Sequence, residues 1–150
     1  MRTKMLLLVV MAIAIAVTYT AGSAAAPKTW STEHYIANET WHAFADVGVQ
    51  DNGGPDDIYA AQQTLKTLNG RQAGIANGYG INLHPPYVFF HWTMTLPHGT
   101  LTLESAINLS ESHAVFPIEG GTGRYLAARG TVTVTDDGTT GSLVSIRYRD

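Results

Sequence analysis

Between Trp41 and Tyr148 the apolar residues never hold a 3.6-residue period. They come in short β-branched and aromatic runs, each closed by a turn signal. The runs span 41–47, 58–65, 73–82, 87–96, 100–108, 113–118, 131–135 and 142–148. Asn69-Gly70 suits a tight type I′ hairpin turn, Pro85-Pro86 and Pro97-His98-Gly99 stop two further runs, and "DDGTTG" separates the last pair. Eight strands with short connections predict an all-β domain, either a sandwich or a closed antiparallel barrel.

The N-terminus obeys different rules. Arg2 and Lys4 precede an unbroken apolar stretch, residues 5–17, and a small-residue stretch ends at Ala26. That order reads as an export signal over residues 1–25, with cleavage after Ala24 or Ala25 and a barrel domain over 26–150. Counted on to Ala26, the segment reaches spanning length, so an uncleaved anchor over residues 5–26 is the alternative. The expected location is secreted or extracytoplasmic. The first 25 residues hold two of the nine basic residues and none of the twelve acids, leaving a net of −5 for the rest. Such a balance excludes the basic face that nucleic acid requires. With no cysteine, the domain has to stand on its apolar core alone.

"GGTGRY", residues 120–125, raises the question of a phosphate loop. A phosphate cradle needs a helix behind it to aim amides and dipole at the anion. Here at most one turn fits before the Thr/Val strand at residue 131, and the Lys-Ser/Thr ending of a P-loop is missing. The glycines are expected to shape a sharp rim connection.

"IEGGTGRYLAARGTVTV", residues 118–134, resembles the signature of the allene oxide cyclase and dirigent barrel superfamily. "FAD" at 44–46, "PDDIYAAQQTL" with "NGRQAG" at 55–74, and "LPHGTLTLES" at 96–105 fall into that family's order. The resemblance runs from about residue 40 to 148. It departs at Gly78-Tyr79-Gly80, where many relatives read Gly-x-Cys. The resemblance implies an eight-stranded antiparallel barrel around an apolar cavity, with no cofactor. It also implies a small hydrophobic ligand and a dimer or trimer of identical chains. Its members fold a reactive apolar molecule into one geometry, so two functions follow: a cyclase or dirigent-type steering protein, or a secreted binding barrel without catalysis.

Site candidates follow from strand phase and from the resemblance. The run 87–96 is apolar on both faces, Tyr87-Phe89-His91-Thr93 and Val88-Phe90-Trp92-Met94. By similarity to the family's ligand-facing positions, the Tyr87-His91 face looks inward. His91 is then a catalytic proton donor or shuttle, and Tyr87 and Phe89 contact substrate. The bland alternative for His91 is a hydrogen bond to a neighbouring strand. The stripe Val88-Phe90-Trp92-Met94 would then be covered by another subunit or by the N-terminal segment. Asp46, at the end of its run, polarises substrate or caps the turn before Gly48. Gln62 matches a position where allene oxide cyclases carry a ligand-facing Asn. Tyr79 stands with these as a substrate contact, although glycines facing the ligand would put it outside. Glu104 reads as solvent-facing. No metal is expected, since His84, His91 and His98 are spaced by seven and prolines interrupt the strand on either side.

Overall fold

A computed structural model describes residues 29–47, 54–136 and 141–149, and in these the β-branched runs form eight strands. They are β1 (Ser31–Ala45), β2 (Ile58–Thr67), β3 (Gln72–Asn82), β4 (Tyr87–Leu96), β5 (Gly99–Asn108), β6 (His113–Gly121), β7 (Arg129–Asp136) and β8 (Ser142–Arg149). Each pairs antiparallel with its sequence neighbour, and β1 pairs with β8 to close the barrel. The barrel resolves the choice left open between sandwich and closed sheet. The export segment, 1–25, and the anchor alternative, 5–26, lie outside the described residues.

β1 starts ten residues earlier than its apolar run. Its first half alternates correctly, but the inward positions are Glu33, Tyr35 and Ala37, and a carboxylate among them hides the pattern. The 67–71 turn also differs from the sequence expectation. Gly70 has a φ of 85°, and the Gly70 N–H donates to the Thr67 carbonyl at 2.8 Å. Asn69 is not among the residues with positive φ, so the loop is a three-residue turn closed by a left-handed glycine, and not type I′.

Toward one end, the barrel interior is filled by large buried side chains. Leu65, Leu101, Ile146, Tyr125 and Tyr148 are each at most 1% exposed. Burying an aliphatic side chain of this kind contributes about 1.5–3 kcal/mol. Residues 120–125 build the plug at this end. Gly123 to Tyr125 make a single 3-10 turn that drives Tyr125 into the barrel. Gly123 sits at φ 58°, and a Cβ there would lie 2.3 Å from the His98 carbonyl oxygen. The Arg124 N–H donates to that same carbonyl at 2.8 Å. The glycines therefore serve close backbone contact between the β4–β5 and β6–β7 connections. Gly123→Ala is expected to cost about 1–3 kcal/mol in chemical denaturation. Gly120→Ala, where a Cβ meets nothing within 4 Å, is expected to change stability little.

Candidate functional site

The opposite end of the barrel is hollow. A cavity of about 310 Å³ is walled by Phe90, Trp92, Met94, Leu103, Phe116, Val132 and Val144, with Gln63, Leu109, Ala114 and Ser142 toward its rim. Leu109 is 60% exposed, so the rim reaches solvent. Two gaps in strand pairing coincide with it. Register pairs between β5 and β6 are confined to Leu101–Leu103, and those between β1 and β8 stop at Ala37–Ser142. The volume is at the small end of the range for ligand pockets, about 300–1,000 Å³.

β4 supplies the aromatic wall, and it faces the other way from the sequence expectation. Val88, Phe90, Trp92 and Met94 point inward, and Tyr87, Phe89 and His91 point out. The pairing partners require this. Trp92 pairs with Gly78 and with buried Leu103, and Phe90 pairs with Gly80. A Cβ at Gly78 would lie 2.4 Å from the indole, and one at Gly80 would lie 2.6 Å from the Phe90 ring. The two glycines thus leave room for the rings of β4, which stack at 6.1 Å, and not for a ligand directly. The apolar stripe assigned to a subunit contact is the cavity wall.

The named candidates do not meet in one place. His91 lies outside the barrel, its Nδ1 2.7 Å from Glu104 and its ring stacked on Tyr79 at 5.2 Å. Tyr79 is 42% exposed on that outer face. Phe89 stands beside Ile81 and Ala106, also outward. Tyr87 borders a shallow outer cleft with Ala106 and His113. Gln62 faces out and donates to Asn77 at 2.9 Å, while its neighbour Gln63 lines the cavity. Asp46 is exposed just past the end of β1, and Gly48 lies outside the described residues. The buried carboxylate nearby is Asp57, which accepts the Val47 N–H at 2.8 Å.

A different polar group lies on the inward face of β1 and β2, beside residues paired with the cavity wall. Glu39 pairs with Gln63, so it belongs to the inward face. The register of β1 then shifts between Glu39 and Trp41. Without that bulge, residues three apart on a strand point to opposite sides. With it, His42 pairs with buried Ala61 and faces the same way as Glu39. His42 Nδ1 lies 2.8 Å from one Glu39 carboxylate oxygen, and the Tyr59 hydroxyl donates to the other. The His42 and Tyr59 rings stack at 6.1 Å. Burial, and then the Glu39 carboxylate, hold the Tyr59 hydroxyl well above its ordinary range, so it stays protonated at neutral pH. The sequence reading missed all three residues because a bulge leaves no mark in the alternation.

A second polar cluster seals the packed end. The Glu33 carboxylate accepts hydroxyl hydrogen bonds from Tyr35 at 2.7 Å and from Tyr125 and Tyr148 at 2.9 Å each. Burial pushes its carboxyl upward, but the three phenols and the Arg124 guanidinium outweigh burial and hold it below the usual range. Among the described residues no three His, Asp or Glu side chains gather as a metal set would.

No protein-family model and no curated protein matches this sequence. Solved structures do. A pyocyanin demethylase superposes with a TM-score of 0.70 at 22% identity, covering 79% of this chain and 99% of its own. AbnU, an exo-specific intermolecular Diels-Alderase, gives 0.70 at 13% identity, over 83% and 99%. A pterocarpan synthase dirigent protein gives 0.63 at 19% identity, over 81% and 94%. The chain shares the closed eight-stranded barrel fold of these three structures.

Proposed function

We propose that the barrel takes a small, largely apolar molecule into its cavity and steers it through ring closure. The cavity carries this reading: a chamber lined mainly by aromatic and aliphatic side chains, blind at the Tyr125 end and open at the Leu109 end. A demethylase, a Diels-Alderase and a dirigent protein share the fold, so fold alone selects no reaction. A chamber that holds one folded conformer acts through proximity and orientation, which in well-aligned intramolecular reactions is worth about 7–11 kcal/mol of barrier. The test uses a short apolar trienone whose spontaneous cycloaddition gives two diastereomers. A faster reaction with a shifted product ratio supports steering. Binding with the spontaneous rate and ratio favours the non-catalytic binding barrel instead.

The expected self-association moves to another surface. Trp41, Ile58, Tyr79 and Tyr87 are each 39–56% exposed, and they belong to the outer sides of β1–β4. We propose that this outer face, and not the stripe of Trp92, joins identical subunits. Light scattering showing a monomer at micromolar concentration rejects it. Export through residues 1–25 is proposed on the sequence alone, and a mature N-terminus between Ser23 and Pro27 by intact mass is the expected result.

A further inference from the structure

We propose that Glu39, His42 and Tyr59 form a proton relay at the cavity mouth, with an enolisable carbonyl compound as the ligand class; this rests on the cavity reading above. An exposed histidine–carboxylate pair is by itself unremarkable. Three observations set this one apart. The β1 bulge turns both side chains onto the inward face, where strand alternation would have separated them. Tyr59 holds the carboxylate oxygen that His42 does not use. And Tyr59 pairs with Gly80, the position against which the cavity-lining Phe90 ring rests.

The chemistry follows from donor and acceptor counts. A carboxylate only accepts, so His42 Nδ1 carries the hydrogen directed at Glu39, and it is the neutral imidazole, with its lone pair on Nε2, that acts as the base. The His42 and Glu39 side chains are 63% and 40% exposed, so a molecule in solution can reach them. A proton α to the ligand's carbonyl passes to Nε2, and its electron pair remains on the ligand as an enolate. Glu39 compensates the imidazolium that forms. The proton on Nε2 exchanges with solvent, and a solvent-derived proton is delivered back to carbon, or to oxygen to give the enol, with no change of oxidation state. His42 is the catalytic base, and Glu39 and Tyr59 are positioning residues.

The outer face supplies an internal control. On the outer side of β3–β5, His91, Glu104 and Tyr79 repeat the histidine–carboxylate bond and the ring stack.

The probe is 2-tetralone, a small apolar ketone with acidic α-protons. Binding is read by fluorescence in protein where Trp92 is the one remaining tryptophan (Trp30→Phe, Trp41→Phe), and α-deuterium exchange is read by NMR in heavy water. The protein is expected to accelerate exchange over buffer. His42→Ala should remove that acceleration, on the order of 10²-fold, with affinity unchanged. Glu39→Gln should lower the turnover rate about tenfold at constant KM, as expected for lost charge compensation. His91→Ala should alter neither. Quenching of Trp92 with exchange at the buffer rate, or full exchange in His42→Ala, overturns the relay alone. Failure of 2-tetralone to perturb Trp92 overturns the cavity reading and the relay with it.

Discussion

Glu33→Ala is expected to lower the stability of the barrel by about 3–5 kcal/mol, and its Tm by roughly 10 °C or more. The carboxylate is the shared acceptor of three phenols, and two of those, Tyr125 and Tyr148, are at most 1% exposed. Its removal orphans three donors at once, each worth about 1–3 kcal/mol when buried, with some recovery through water. Arg124, 53% exposed and 3.9 Å from the carboxylate, adds little. Glu33→Gln tests the charge separately. The folded carboxyl is held below its ordinary value of 4.5, so the ionised form stabilises at neutral pH. That contribution fades as pH falls from the ordinary value through the lower folded one. Denaturant titrations at pH 7 and pH 3.5 should therefore show a wide gap between wild type and Glu33→Gln at neutral pH and a narrower one in acid. An equal gap at both would mean that the charge contributes nothing.

The second large effect concerns the chamber. Ala114 lines it from β6, and Ala114→Phe fills the space a ligand would use. Affinity for 2-tetralone is expected to fall roughly 100-fold or more, about 2.7 kcal/mol, while overpacking costs about 1–3 kcal/mol of stability. Phe89→Ala on the outer side of β4 should leave affinity unchanged. Trp92→Ala should keep binding but broaden the product ratio of a cyclising ligand, because the wall against which the conformer is pressed is gone. If Phe89→Ala impairs binding and Ala114→Phe does not, the ligand sits outside the barrel.

The strands were legible because turn chemistry punctuates them: Pro85-Pro86, Pro97-His98-Gly99 and the glycines of 120–123 all close or connect strands in the structure. The purpose of those glycines was also legible, since no helix could follow them. The interior was not. β4 is apolar on both faces, so alternation gave two equal answers, and similarity to relatives chose the face that points out. What decides the direction is long-range. Gly78 and Gly80 on β3 accept the Trp92 and Phe90 rings, a pairing that a one-residue slip would destroy. The polar mouth was hidden for a related reason. Glu39 and His42 are three apart, which on a regular strand means opposite sides, and the bulge between them is set by pairing with β2. A charged residue at an inward position likewise concealed the first half of β1, because Glu33 makes sense only once Tyr125 and Tyr148 have been brought to it from about a hundred residues away.

The proposed functional surface is the inside of the barrel at its Leu109 end. Methyl NMR on the protein titrated with 2-tetralone tests it most directly, because the two faces carry distinct reporters. Met94, Leu103, Val132 and Val144 line the cavity, whereas Ile58, Ile75 and Ile81 belong to the outer sides of β2 and β3. Saturable shifts confined to the first group are expected. Shifts confined to the isoleucines, or none in either group at saturating ligand, would contradict it.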